Sequence, residues 1–464
     1  MQRGIPPMLM RDVMQCKPLN VFIPKNYGGF GGETRECLGM LEASSYESLP
    51  LSLMMGINGA LFLQPVVKYA DKSVLPDVMH RFVRQQAMGG LMITEPDFGS
   101  DALHMQTKYQ PELNGYRLRG TKHWAGLTGW ADFWLLTARL EKEDGTLARD
   151  IDFFIHDSRN PGIEVEEYFN NLGLYMLPYG RNKINTFVPG KFRLESPSTG
   201  LKLMLDMLHR SRMQFPGMAI GFIRRIVDEA LEHVKTRNVG GKDLFSYDQV
   251  RERLVRMQSW FTSCSAMCAY TSSHASVNAN LSGEDFAANS IKSVVTDMMQ
   301  DAAQSLLQLC GAKGYKLDHI AGKSVIDSRP FQIFEGSNDI LYQQIAESIL
   351  KKMKKTKKIS LIDFLSEFEL TQKAADYIRK MADFTVDYGM SQRKQVLFGK
   401  MLGYTACLNM VINLGERGFN TQLTNNTISV LIVEIRKVVS AVHGVQASKP
   451  VENLEQDGNW FGLV

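Results

Sequence analysis

Three segments of this 464-residue chain set reactive or ring-covering residues beside turns. Phe331–Leu341 reads FQIFEGSNDIL and places Glu335 between an apolar run and Gly336, just before a helix that begins near Ser337. A carboxylate among apolar neighbours is a candidate general base, because desolvation disfavours its charged form and raises its pKa. A helix-capping carboxylate is the plainer reading. Gly120–Asp132, GTKHWAGLTGWAD, offers Trp124, whose flat face can cover a planar ring, with Gly126 and Gly129 allowing close backbone approach. Its plainer reading is a core tryptophan. In Leu91–Asp101, LMITEPDFGSD, an apolar strand end runs into Thr94, Glu95 and Pro96 and then a turn with Gly99, Ser100 and Asp101. Such a loop presents amides and hydroxyls to a polar ligand edge, or forms an ordinary β-turn.

The elements that must position these residues follow from periodicity. Residues 1–90 read as helical, with breakers at Pro50 and Pro65. Residues 91–200 change to short apolar runs, FWLLTA at 133–138 and IDFFI at 151–155. Hairpin signals at Leu113-Asn114-Gly115, Glu143-Asp144-Gly145 and Asn160-Pro161-Gly162 separate them. A central antiparallel β domain is expected there. Over 201–352 the helical period returns, with Ile223, Ile226, Val227, Ala230, Leu231 and Val234 on one face. Residues 353–464 add a helical tract. This order makes an α+β multidomain chain and disfavours a Rossmann or barrel fold.

Composition bounds the rest. Apolar residues at 44% and charged residues at 22% exclude a disordered or fibrous chain, and a net charge of +4 does not argue for nucleic acid. No apolar run suits a signal peptide, and no stretch of about 20 apolar residues suggests a membrane span. Six scattered cysteines form no disulfide framework, which fits a reducing, cytoplasmic setting. Cys264 and Cys268 read as core thiols, and no metal site is expected. The 25 methionines permit an adaptable apolar pocket. Lys351–Lys358, KKMKKTKK, reads as a solvated junction, with contact to anionic lipid as the alternative.

Taken in order, the three segments resemble the acyl-CoA dehydrogenase family. Ile23-Pro24-Lys25 followed by Asn26-Tyr27-Gly28-Gly29 is similar to the family's N-terminal signature. Gln308 to Tyr315, QLCGAKGY, is similar to its helix-ending motif, and Arg237 with Gln249 to its flavin-adenine segment. Six motifs in family order span roughly residues 20–350. The resemblance implies a helical N-terminal domain, a central β domain and a C-terminal four-helix bundle. It implies FAD bound where they meet, and a homodimer or homotetramer. The implied reaction is α,β-desaturation of an acyl-CoA, with electrons passed to an electron-transfer flavoprotein. An acyl-CoA oxidase or a non-catalytic binding protein on the same fold is the alternative. Larger long-chain relatives, some membrane-associated, also carry helical C-terminal extensions, an analogy that points to a long acyl substrate and to β-oxidation of fatty acids.

By position, the resemblance makes Glu335 the catalytic base. It gives Leu91, Ile93 and Thr94 the flavin pyrimidine edge, Ser100 the FAD phosphate and CoA, and Trp124 the isoalloxazine. Arg237, Gln249, Gln308 and Gly311 take the adenine end of a neighbouring subunit's FAD, and Ser337 and Asp339 add a further contact. Arg212, Phe334 and Gly336 fall beside the substrate. Some relatives carry the base on an upstream helix, where this chain has Ser211, which cannot act as one. The chain also departs from the family. The residue that usually donates a hydroxyl to flavin N5 is Gly126, leaving Thr128 or a backbone amide as substitutes. Val239-Gly240-Gly241 replaces a Phe-Gly, and an Arg-Asp pair is reduced to Ile326-Asp327.

Overall fold

A computed structural model describes residues 5–444 and 448–463, so the first four residues of the N-terminal segment discussed above lie outside the described residues. Helices Thr34–Glu47, Leu49–Asn58, Gln64–Tyr69 and Leu75–Gln85 precede the sheet. The Ser48 hydroxyl accepts from the Leu51 amide at the start of the second helix, where Pro50 sits in the first turn and its missing N–H costs nothing. A π-helical turn, Gly59–Leu63, links this helix to the one that Pro65 opens. The expected breakers therefore start segments instead of ending the rod. Contrary to the sequence expectation, Leu49–Tyr69 is long and apolar enough to cross a membrane, but 83% of its apolar window is buried inside the fold. It is core.

The sheet comprises β1 (Gly89–Met92), β2 (Lys108–Glu112), β3 (Gly115–Gly126), β4 (Phe133–Leu140), β5 (Asp152–Asp157), β6 (Ile163–Tyr168) and β7 (Tyr179–Pro189). Antiparallel pairing holds for β2–β3, β3–β7, β6–β7 and β4–β5. It fails at β4, whose second edge is shared end to end by β1 and β2, both parallel to it. Parallel neighbours need a long return crossing, and the β2–β3 hairpin with the Trp124 loop supplies it. Short-range turn signals carry no trace of that pairing. Phe62, Phe82 and Phe133 stack at 5.6–6.0 Å and join the N-terminal helices to β4.

Beyond the sheet, Gly200–Thr236, Asp248–His274, Asp285–Cys310 and Asn338–Thr356 form the helical bundle. Gln392–Glu416 and Thr421–Gly444 pack against it. Arg256 fastens the last of these by bonding both Asp301 (2.8 Å) and Glu434 (2.7 Å). The lysine run ends the Asn338–Thr356 helix with Lys357 in the left-handed region (φ 56°) and most of its side chains exposed.

The loop after β1 is pinned by a buried ion pair. Lys122 Nζ on β3 donates to Glu95 Oε1 (2.9 Å), to the Ile93 carbonyl and to Thr137 Oγ1. Glu95 also accepts from the Gln106 and Thr107 amides. Burial pushes Glu95 up, but Lys122, Thr107 and Gln106 outweigh it and hold the carboxyl below its usual range. Burial pulls Lys122 down to about 8. Glu95→Gln leaves a buried ammonium uncompensated and is expected to cost about 3–5 kcal/mol, read as a lower denaturant midpoint.

Candidate active site

The 37-residue helix Gly200–Thr236 carries Ser211 and Arg212 one turn before Pro216, which lacks the N–H that would close on the Arg212 carbonyl. Both side chains reach the Glu335 turn. Ser211 Oγ donates to Glu335 Oε1 (2.8 Å), so the two positions at which the resemblance would put a base are in contact. Arg212 Nη2 and Nε donate to the Glu335 carbonyl (2.8 and 3.1 Å), and Nη1 to Asn289 Oδ1 (2.7 Å). Arg212, expected beside substrate, is buried and holds the Glu335 turn through its carbonyl. Lys292, fully buried, donates to the Gly336 carbonyl (2.8 Å) and Asn338 Oδ1 (3.0 Å). Glu335 itself takes φ 53° and Gly336 φ 91°. A Cβ at Gly336 would also meet Leu341 Cδ2 at 2.9 Å, so glycine is required there.

Glu335 keeps some residue surface, yet its Oε2 is buried and has no hydrogen-bond partner among the described residues. Desolvation raises its pKa, while Arg212, the Ser211 hydrogen bond and Lys292 pull it back. Lys292 is brought down to about 7 by burial, opposed by the charge of Glu335. The arrangement is a desolvated carboxylate with one oxygen anchored by Ser211 and the other without a hydrogen-bond partner among the described residues. It can take a proton from a carbon acid placed against Oε2.

The β domain approaches from the other side. A bulge between Lys122 and Ala125 breaks the β3–β7 register. There His123 N donates to the Thr94 carbonyl (2.8 Å), while Trp124, at φ 54°, keeps 52% of its surface beside Phe169 (4.6 Å). Gly126 pairs with Tyr179. A Cβ at Gly126 would lie 2.8 Å from Ile57 Cδ1 and 3.4 Å from Tyr179 Cε1, so no larger residue fits without displacement. Thr128, expected as a substitute hydroxyl, is buried. Its Oγ1 donates to the Ala125 carbonyl and accepts from Asn182 Nδ2, so it is already committed. Leu91 is buried, Ile93 and Thr94 are half-buried, and Ser100 is exposed on its loop. Burial and the charge of Glu335 both raise the Tyr179 phenol. Asp327, the remnant of the expected Arg-Asp pair, accepts from the Leu174 amide (2.6 Å) and ties the loop before β7 to helix Ile320–Ser328.

Arg237, Gln249, Gln308 and Gly311 are all exposed at one end of the bundle. His233 reaches the Leu309 carbonyl (3.1 Å) and holds that end together. The Gly240-Gly241 insertion is the turn of a two-residue hairpin, both glycines at positive φ, pairing Val239 with Lys242. Ser337 precedes helix Asn338–Thr356 without a side-chain cap bond, Asp339 is exposed, and Phe334 packs on Phe331 (4.9 Å). Sequence reasoning missed Lys292 and Tyr179. The signal for Lys292 was a lone charge amid the apolar and small residues of AANSIKSVV; for Tyr179 there was none, since its partner Gly126 is distant in sequence.

Gly126→Thr is expected to overpack Ile57 and Tyr179 and to cost about 1–3 kcal/mol, visible as a lower Tm.

The sequence profile described as "Acyl-CoA dehydrogenase, middle domain" matches residues 90–186, and "Acyl-CoA dehydrogenase, C-terminal domain" matches 198–350, together more than half of the chain. Glutaryl-CoA dehydrogenase of Desulfococcus multivorans is 24% identical over 331 residues, 70% of this chain and 83% of that protein. The very long-chain specific acyl-CoA dehydrogenase of Mus musculus is 25% identical over 355 residues, 71% of this chain and 52% of that protein, so the match spans about half that relative's length. Among solved structures, butyryl-CoA dehydrogenase from Megasphaera elsdenii superposes with a TM-score of 0.69 at 19% identity, covering 75% of this chain and 91% of that one. An acyl-CoA dehydrogenase complexed with FAD from Bacillus anthracis gives 0.78 at 16% identity, covering 95% of this chain and 83% of that one, so the shared fold extends into the helices after Thr356. With its Glu335 turn, its Trp124 bulge and these matches, the chain belongs to the acyl-CoA dehydrogenase family.

Proposed function

We propose that this protein is an FAD-dependent acyl-CoA dehydrogenase in which Glu335 removes the α-proton of an acyl-CoA thioester. The observation that supports this most directly is the buried, unpartnered Oε2 of a carboxyl raised by desolvation and steadied by Arg212, Ser211 and Lys292. The fit to a flavin rests on the half-exposed Trp124 indole at the bulge and on the exposed Ser100 loop. Leu91, Ile93, Thr94, Trp124 and Ser100 would hold the ring and phosphates, with Ser337 and Asp339 beside them. The fit departs at ring N5, where Gly126 has no hydroxyl and that of Thr128 is committed. The exposure of Arg237, Gln249, Gln308 and Gly311 at one bundle end supports a second copy of the chain as the owner of the adenine end they bind.

The residues divide the work. Ser211 anchors Oε1 and leaves Oε2 to accept the proton. Arg212 and Lys292 fix the turn through the carbonyls of Glu335 and Gly336, so the base stays aimed without a cation occupying its free oxygen. The Glu335 N–H makes no backbone hydrogen bond among the described residues, and it is the donor for the thioester carbonyl as negative charge develops there. FAD supplies the hydride acceptor when bound, and an electron-transfer flavoprotein takes the electrons onward.

Glu335→Gln is expected to keep the protein yellow and thioester-binding while turnover with an artificial acceptor falls by about 10²–10⁴. Protein that stays colourless with added FAD would sink the reading. The base acts ionised, so activity rises with pH through its raised pKa. Lys292→Gln removes a charge that favours the carboxylate, and the acid limb of the kcat/KM profile is expected to move to higher pH.

A further inference from the structure

The geometry points to a short acyl group as the substrate's acyl portion, selected by packed side chains on both sides of Glu335; this rests on the thioester reading above. The wall starts on helix Gly200–Thr236. Phe215 lies one turn after Ser211 and therefore projects from the same face as the serine that touches the base. Its ring is 6.0 Å from Phe334 and 5.8 Å from Phe331, and those two are 4.9 Å apart. Phe215 and Phe331 are fully buried. Three aromatic rings are thus packed together on the side of Glu335 that Phe334 adjoins and Ser211 touches, and a chain extended in that direction would have to displace them.

The same helix face continues to Met218, whose Sδ lies 3.5 Å from where a Cβ at Gly56 would be. The helix Leu49–Asn58 is therefore in direct contact there, and the next residue along it, Ile57, is buried. Ile57 in turn meets the Trp124 bulge at Gly126, with the Tyr179 ring beside it and within the influence of the Glu335 charge. The packing thus forms two patches, Phe215 with Phe331 and Phe334 on the bundle side and Ile57 with Tyr179 on the β side, carried on helices that meet at Met218 and Gly56. Interiors packed in this way do not yield a methylene at a time, because each added atom forces a ring or a backbone segment to move. The C-terminal tract suggests a long acyl chain by analogy, but it packs on the bundle through Arg256 and Glu434, and none of the side chains named above belongs to it. Length selection belongs to Phe215, Phe331, Phe334, Met218, Ile57 and Tyr179.

The test measures kcat/KM of the FAD-loaded enzyme for butyryl-, octanoyl- and palmitoyl-CoA with an artificial electron acceptor. It also measures calorimetric affinity of Glu335→Gln for the same thioesters. Preference is expected to fall by about tenfold or more at each step in length. Phe215→Ala and, independently, Ile57→Ala should raise the octanoyl-to-butyryl ratio, and Phe215→Leu replaces the alanine variant if that one does not fold. A wild-type preference for octanoyl- or palmitoyl-CoA overturns the proposal. So does a folded Phe215 or Ile57 variant whose ratio is unchanged. If the thioesters bind with the short-chain order and none is oxidised, the dehydrogenase reading fails while size selection stands.

Discussion

Everything at this site depends on one electrostatic compromise: a carboxylate must be buried enough to be basic and still be able to ionise. Direct pairing of Glu335 with a cation would occupy its free oxygen and depress its pKa. The protein instead places two buried cations on the backbone of the turn, Arg212 on the Glu335 carbonyl and Lys292 on the Gly336 carbonyl. Their charges reach the carboxylate at a distance and offset its desolvation without quenching it. Three helices converge to make this possible. Gly200–Thr236 brings Ser211 and Arg212, Asp285–Cys310 brings Asn289 and Lys292, and Asn338–Thr356 brings Asn338.

The β domain meets that turn as a rigid counterpart. Its stiffness comes from polar groups that are buried and satisfied, above all the Lys122–Glu95 pair, which fixes the loop after β1 to β3 beside the bulge. A bulge adds one residue to one strand and re-aims a side chain. Here it leaves Trp124 half-exposed while His123 stays bonded to Thr94. Asp327 binds the Leu174 amide and ties the β-domain loop to the helical side, which braces strand β7 and the Tyr179 it carries.

Local patterns were legible in the sequence and long-range pairings were not. The change from helical period to hairpin signals near residue 90 and back near 200 reads directly from residue types, because turns and apolar periodicity are short-range properties. Glu335 and Trp124 were also visible, each as a chemically suggestive residue against a glycine. What escaped was set by contacts across many residues. The parallel pairing of β1 and β2 with β4 depends on a crossing, the role of Arg212 depends on a carbonyl 123 residues away, and Gly126 is small because Ile57 and Tyr179 press on it. Pro50 and Pro65 looked like interruptions because a π turn that rejoins two helices leaves no mark in composition.

The C-terminal tract, which carries no readable motif, enters the same electrostatic balance. Asp297 accepts from Asn338 Nδ2 (2.7 Å), Gln332 Nε2 (2.7 Å) and the Tyr342 hydroxyl (3.0 Å), and so holds the amide whose oxygen receives Lys292. An anion there raises the pKa of Lys292, as Glu335 does. Lys400, from helix Gln392–Glu416, sits 3.0 Å from Asp297 and offsets its charge. The added helices therefore do more than cover the bundle: one of their lysines pairs with the aspartate that holds Asn338, whose amide oxygen in turn receives Lys292 beside the Glu335 turn.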